Sequence, residues 1–287
     1  MKKTSNPSSG VQRRQGKNYQ VTPEEIAQYN DKGYLILNDV LTEDELKTID
    51  PYFDLLVSGS KAEEMKKDFC DMSQPYGTPI EDFKLVNAML PSKYCPELIN
   101  NIYFQVAQNI ASQLYAGGNA AMDYEQFLAK KPQKTGAEFA MHQDLGYWPK
   151  TDNTWTATVS LALNDADVEN GCLQVVPGTN KEPELRNHSP KKYTNTSSND
   201  NDVKRDESHT LVIDMKDTDE ILYLPVKRGS VTIHDERIVH GSGGNTTNEW
   251  RKTYVMAFRD AQTIIEERAI GFTHSHNDDV QWKEIIK

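Results

Sequence analysis

Two histidines, an aspartate and an arginine are spaced in this sequence as a metal centre with open positions requires. His142-Gln143-Asp144 ends a run, Ala137-Glu138-Phe139-Ala140-Met141, that reads as a β-strand. Residues i and i+2 of a strand point to one face. The imidazole and the carboxylate would then leave the backbone roughly 6–7 Å apart and converge on one cation. Roughly a hundred residues later comes Val239-His240-Gly241-Ser242-Gly243-Gly244-Asn245, and Arg251 lies eleven positions after His240. Two imidazoles and one carboxylate form the facial set that leaves iron(II) three open positions. The planar fork of Arg251 suits the distal carboxylate of a diacid co-substrate whose other end chelates the metal, and the Ser242 hydroxyl can share that carboxylate. Glycines 241, 243 and 244 permit close backbone approach and a tight turn into the arginine strand.

These residues need a rigid frame, and the chain after Gly118 has the texture of one. Short β-branched and aromatic runs at 123–129, 137–142, 154–163, 172–176, 221–226, 230–234 and 252–259 alternate with turn residues. Strands at this density after a helical N-terminal third predict a mainly β fold with flanking α-helices, a sandwich or jelly roll. Thr22-Pro23-Glu24-Glu25 is a capping box opening a helix that ends near Gly33, and Tyr34 to Leu37 reads as a strand. Thr42 to Glu45 repeats the box and starts a helix towards Leu56. Leu98, Ile102, Val106, Ile110 and Leu114, following Pro96, predict a third helix stopped by Gly117-Gly118. Asn170-Gly171 is a hairpin signal before an interior strand from Cys172. Residues 1–18 read as an unstructured tail and 19–287 as one domain, with a polar insertion at about 181–220 that is either a lid or disordered.

Composition narrows the function. A net charge of −11, with basic residues clustered only in the tail, argues against nucleic acid as a partner. No apolar run approaches the roughly 18 residues that span a bilayer, and no apolar stretch follows the N-terminal lysines. Cys70, Cys95 and Cys172 form no metal-type pair, which suits a reducing, cytoplasmic setting and leaves the sequons at Asn195 and Asn245 without meaning.

The stretches HQDLGYWP, NGCLQVVPGTNK and VHGSGGN followed by WRKTYVMAFR, with GYLILNDVLTEDEL near the N-terminus, resemble the phytanoyl-CoA dioxygenase family of iron(II)/2-oxoglutarate oxygenases. The resemblance covers roughly residues 20 to 275 and is strongest at 142–149, 170–181 and 239–259. It implies a double-stranded β-helix of the cupin-like jelly-roll type, with iron on His142, Asp144 and His240 and 2-oxoglutarate on Arg251 and Ser242. Looser alignment across gaps adds Lys84, Phe127 and Ser160 to the 2-oxoglutarate set, although the family often has an aromatic residue or threonine near Ser160. The implied reaction consumes O₂, releases succinate and CO₂ and draws on ascorbate for support. Its outcome on a small organic substrate is hydroxylation, or desaturation or oxidative cyclisation. Halogenating relatives carry a small residue where this chain has Asp144, so halogenation is not expected.

Other residues have plainer readings. His234 reads as structural, orienting its neighbours or packing at the barrel mouth, and His188 and His209 as solvated residues of the insertion. His274 and His276 form a second H-x-H, but no carboxylate-bearing strand accompanies them as an auxiliary metal site would require. Tyr147 and Trp148 either line a substrate pocket or plug the barrel mouth, and Lys130-Lys131-Pro132 reads as a solvated strand end, with a lysine placing an acidic substrate as the alternative. The absence of a long apolar lining around 145–160 favours a small polar metabolite over a fatty acyl chain. Two rival functions use the same barrel. A metal-dependent hydrolase or isomerase has no use for Arg251, and a non-catalytic metal-binding protein has no use for an open triad.

Overall fold

A computed structural model describes residues 13–118, 120–149, 151, 154–191 and 210–278. The expectations for residues 1–12, for 192–209 with His209, and for sequon Asn195 lie outside the described residues. A ribbon of β1 (Arg14–Gln15) and β2 (Asn18–Tyr19) comes first, where the tail was expected to continue. Arg13 accounts for this order: both terminal guanidinium nitrogens bond Glu25, at 2.8 and 2.6 Å.

Helix α1 (Pro23–Lys32) has its capping box at Thr22 and ends at Gly33, whose φ of 80° is left-handed. Strand β3 (Tyr34–Leu37) follows. The Thr42 box also forms, but the helix it starts, α2 (Glu43–Leu46), stops early, and α3 (Asp50–Val57) begins afresh. Pro51 causes the break, because it has no N–H for the preceding turn yet fits the first turn of a new helix. After α4 (Ala62–Met65) come β4 (Phe69–Asp71), β5 (Leu85–Met89) and α5 (Pro91–Tyr94). Helix α6 (Ile102–Leu114) starts a turn later than its apolar stripe suggests, since the Asn101 side chain caps it by accepting from Phe104 N at 2.9 Å.

The strands that follow are β6 (Ala120–Lys130), β7 (Phe139–His142), β8 (Thr156–Ala162), β9 (Leu173–Val176), β10 (His188–Pro190) and β11 (Leu211–Ile213). Then come β12 (Leu222–Leu224), β13 (Val231–Asp235), β14 (Val239–Ser242), β15 (Arg251–Asp260) and helix α7 (Ala261–Ala269). Seven strands form one sheet in the order β3-β13-β8-β15-β6-β5-β4, and four form a second, β12-β9-β14-β7. The antiparallel pairs are nested: β6 with β15, β7 with β14, β8 with β13, and β9 with β12. A chain folded back on itself in this way, with successive strands alternating between two sheets, is the double-stranded β-helix.

Alternation along the strands of the large sheet separates its two faces. Phe127, Val159, Leu161, Tyr254, Met256 and Phe258 turn to the helices and join a core with Phe53, Tyr103, Val106 and Ile110. Their neighbours Gln126, Leu128, Thr158, Ser160, Arg251, Thr253 and Val255 turn inward and line a cavity between the sheets.

Asn170-Gly171 is a turn but not a hairpin, because β8 and β9 belong to different sheets and the turn is the corner between them. Gly171, at φ +83°, sits where a Cβ would lie 2.3 Å from Gly243 O. The described part of the polar insertion also has structure. Strands β10 and β11 pair as a ribbon, and Ile213 packs with Val176, Val239 and Met141 along the small sheet.

Candidate active site

His142 ends β7, and Gln143 is still extended at φ −122°, ψ 129°, so Asp144 emerges on the same side before a 3₁₀ turn, Asp144–Gly146. His240 lies directly opposite His142 in the adjacent strand β14. Long-range strand pairing thus brings together what the sequence separates, with the two imidazole centroids 4.2 Å apart. His142 Nε2 and His240 Nε2 stand 3.3 and 3.4 Å from Asp144 Oδ1, and the three ligand atoms lie within 4.8 Å of one another.

Backbone carbonyls fix both rings. His142 Nδ1 pairs with Ala140 O at 2.7 Å and His240 Nδ1 with Ile238 O at 3.0 Å. A carbonyl only accepts, so each Nδ1 carries a proton, which leaves each Nε2, facing the partner ring and Asp144, as the nitrogen a metal would use. Burial tends to raise the Asp144 pKa, but His240, His142 and His234 overcome it and hold the carboxyl well below its usual range. Burial, with His240 alongside, keeps His142 below its ordinary value, so its neutral ring is available as a ligand.

The turn that carries Asp144 is clamped from several sides. Gln143 Nε2 donates to Arg237 O at 2.6 Å, its Oε1 accepts from Arg186 N at 2.8 Å, and Leu145 N donates to Glu236 O at 3.0 Å. His188, expected to be solvated, instead accepts from Gln143 N at 3.1 Å and packs on Gly146, where a Cβ would meet its ring at 2.6 Å.

One cavity of about 520 Å³ holds the triad together with Arg251, Ser242, Ser160, Tyr147 and Trp148. Arg251 is buried, and no partner appears for its Nε among the described residues. Burial pushes its pKa down to about 10, an unfavourable state for a guanidinium that an incoming carboxylate would relieve. Thr253, two residues on along β15, also lines this cavity, and no partner appears for its buried hydroxyl among the described residues. The buried Arg251 Nε, with Ser242 in the same cavity lining, fits the distal carboxylate of a dicarboxylic co-substrate. His142, Asp144 and His240 fit iron(II) by donor type and count.

Phe127 and Lys84 are not in this cavity. Phe127 is fully buried on the helix side, 4.8 Å from the Phe53 ring and 4.4 Å from the Tyr254 ring. Leu128 is the residue that faces the cavity; a slip of one position in a strand exchanges its two faces. Lys84 lies before β5, with its Nζ 3.3 Å from where Gly136 would carry a Cβ. Lys130 is not a solvated strand end but fully buried, its Nζ donating to Ala137 O at 2.6 Å and to Gly243 O. It ties β6 to the glycine turn after His240.

Tyr147 and Trp148 both line the cavity and both serve as structure. Tyr147 Oη accepts from Leu211 N at 2.7 Å, holding the insertion ribbon at the mouth, and Trp148 lies under the Arg259 guanidinium at 4.4 Å. His274 stacks on Tyr124 at 4.3 Å and bonds Asp123 through Nε2 at 2.8 Å. Its ligand atom lies within 4.8 Å of those of Asp123 and Glu267, but the Arg259 guanidinium already pairs with both carboxylates, so the cluster has its cation. His276 turns to Lys67 O, at 3.2 Å. Sequence reasoning missed Asp123, which a β-bulge re-aims: Ala257 pairs with Tyr124 but Phe258 with Met122, leaving Asp123 as the extra residue.

Comparison with known proteins agrees with this geometry. The family model for phytanoyl-CoA dioxygenase matches residues 29–253. Peroxisomal phytanoyl-CoA dioxygenase of Rattus norvegicus is 22% identical over 237 residues, which is 78% of this chain but 64% of the rat protein, so the chain spans less than two thirds of that relative's length. EvdO2 from Micromonospora carbonacea var. aurantiaca, solved with 2-oxoglutarate, superposes with a TM-score of 0.66 at 24% identity, covering 84% of this chain and 92% of EvdO2. SnoK, a non-haem α-ketoglutarate-dependent carbocyclase from nogalamycin biosynthesis, gives 0.61 at 20% identity, covering 90% and 88%. At these identities the two structures bear on the fold, which they share with this chain. With the family model matching most of its length, the chain belongs to the phytanoyl-CoA dioxygenase family of iron(II)/2-oxoglutarate oxygenases.

Proposed function

We propose that this protein is an iron(II)- and 2-oxoglutarate-dependent dioxygenase that oxidises an unactivated C–H bond of a small organic substrate, releasing succinate and CO₂. The observation that carries the reading is the convergence of His142, Asp144 and His240 in the same cavity as a buried Arg251 whose Nε lacks a partner among the described residues. The arginine also weighs against a hydrolase or isomerase on the same barrel, and the open-sided triad against a purely binding role.

His142 and His240 hold the metal through Nε2 and Asp144 through Oδ1, while Arg251, with Ser242, takes the distal carboxylate of 2-oxoglutarate. Thr253 and Ser160 line the same cavity. Bound iron(II) with 2-oxoglutarate and O₂ supplies the oxidising power, and ascorbate would support repeated turnover. The protein orients and shields. Tyr147, Trp148 and Phe272 wall off water, and Tyr124, Met89 and Met72 offer apolar contact to a substrate on the metal's open side. This lining is more apolar than the 145–160 segment alone suggests. With His274, Lys67 and Asp278 at the same cavity, it suits an amphiphilic molecule of modest size. Hydroxylation is the default outcome, and desaturation or ring closure would require the pocket to hold the oxidised carbon clear of the oxygen it would otherwise accept. Three free, buried cysteines fit a reducing compartment such as the cytoplasm. No helix among the described residues is long and apolar enough to cross a membrane.

Purified protein with iron(II), ascorbate and O₂ should convert 2-oxoglutarate to succinate, faster when a library of small molecules includes the substrate. His142→Ala and His240→Ala should abolish both the basal and the stimulated reaction. Succinate formation that survives these changes would remove the basis of the proposal.

A further inference from the structure

We propose that His234 is a positioning residue of the metal centre: with Thr158 it captures one oxygen of Asp144 and thereby presents the other, Oδ1, as a single-point ligand. The inference rests on the metal site assigned above. His234 in β13 and Thr158 in β8 are direct partners across adjacent antiparallel strands, so their side chains leave the sheet side by side on one face. Both reach the same atom, His234 Nε2 at 3.2 Å and Thr158 Oγ1 at 3.0 Å from Asp144 Oδ2. Oδ1 instead faces His142 Nε2 and His240 Nε2, at 3.3 and 3.4 Å. The carboxylate therefore has a protein side and a metal side.

An ionised carboxylate only accepts, so His234 must carry its proton on Nε2. The residue is 4% exposed and its Nδ1 has no partner among the described residues, so the bond to Asp144 is the one hydrogen bond its side chain makes there. It is not itself grouped with the ligands: the ligand atoms within 4.8 Å of one another here are those of His142, Asp144 and His240. Without donors on Oδ2, Asp144 is free to turn or to bind through both oxygens. Two-point binding would occupy one of the three positions that a bidentate co-substrate and O₂ need.

Three variants test this. His234→Phe keeps the ring and loses the donor, His234→Gln keeps an N–H donor, and Thr158→Val removes the second donor at nearly constant shape. Each apoprotein is titrated without oxygen with iron(II), and with cobalt(II) as a spectroscopic stand-in. The expected result is metal binding weakened about 10–100-fold in H234F with an altered cobalt(II) absorption spectrum, substantial recovery in H234Q, and a smaller loss in T158V. Folded H234F with wild-type affinity and spectrum overturns the proposal, as does equal weakening in H234F and H234Q, which would make the ring a packing element. If H234F does not fold, T158V with wild-type affinity and spectrum overturns it. Wild-type protein that binds metal but yields no succinate would defeat the oxygenase reading while the variants still decide the role of His234; wild-type protein that binds no metal defeats both.

Discussion

Replacing Arg251 with methionine should stabilise the apoprotein and cripple its use of 2-oxoglutarate. Arg251 is 8% exposed, its Nε has no partner among the described residues, and burial pushes its pKa down to about 10. An unsatisfied buried polar group costs about 1–3 kcal/mol. Methionine fills much of the same volume without charge, so the apoprotein should melt a few degrees higher, at roughly 2–4 °C per kcal/mol. The co-substrate responds the other way. A forked arginine–carboxylate contact offers two charge-assisted hydrogen bonds of about 1.5–3 kcal/mol each. A net loss of about 3–4 kcal/mol raises the KM for 2-oxoglutarate about 100–1000-fold. Cobalt(II) affinity without 2-oxoglutarate should be unchanged. Arg251→Lys, which keeps the charge but not the fork, should fall between the two. Differential scanning fluorimetry and succinate quantification across 2-oxoglutarate concentrations read both effects on the same preparations. A lower melting temperature together with an unchanged KM refutes the assignment of Arg251 to the distal carboxylate.

Other substitutions separate structure from chemistry. Phe127→Ala should cost about 3–5 kcal/mol of stability in denaturant unfolding, because the ring fills the core against Phe53 and Tyr254, and should leave the KM for 2-oxoglutarate near wild type. Gly244→Ala should destabilise the turn after His240, since a Cβ there would lie 1.9 Å from Thr135 O; a soluble variant with wild-type melting and turnover would contradict this. Burial raises the Asp235 pKa to about 7, against about 3.9 in an unfolded chain. The folded state therefore favours the protonated acid, and this contribution is present below about pH 4 and lost as pH rises towards 7. Asp235→Asn should raise the melting temperature at pH 8 but not at pH 4, and an equal change at both pH values would show that ionisation is not the cause.

Local signals in the sequence were strong where the structure depends on local physics. The Thr22 box, the Gly33 stop and seven strands from Ala120 onward follow from capping chemistry and alternation, and each forms within a few residues of where these signals lie. The triad was legible for a related reason: His142 and Asp144 share a strand end, and His240 and Ser242 alternate on another. What escaped depends on long-range pairing. Strand β5 carries Asn87 within a buried run and shows no alternation, so only its pairing with β6 reveals it. Thr158 looks like any β-branched strand residue until its cross-strand neighbour is known to be His234. The corner at Gly171 imitates a hairpin because turn chemistry does not record which sheet each flanking strand joins. Phe127 and Leu128 are both apolar, and alignment across a gap cannot tell which one points inward. His188 acquires its role only when the insertion folds back on the turn bearing Asp144.

A crystal structure of the protein grown without oxygen in iron(II) and 2-oxoglutarate, with anomalous data at the iron edge, tests the central claim most directly. One anomalous peak should lie between His142 Nε2, Asp144 Oδ1 and His240 Nε2, with the distal carboxylate of 2-oxoglutarate against Arg251. Iron bound elsewhere, or 2-oxoglutarate held away from Arg251, would contradict it.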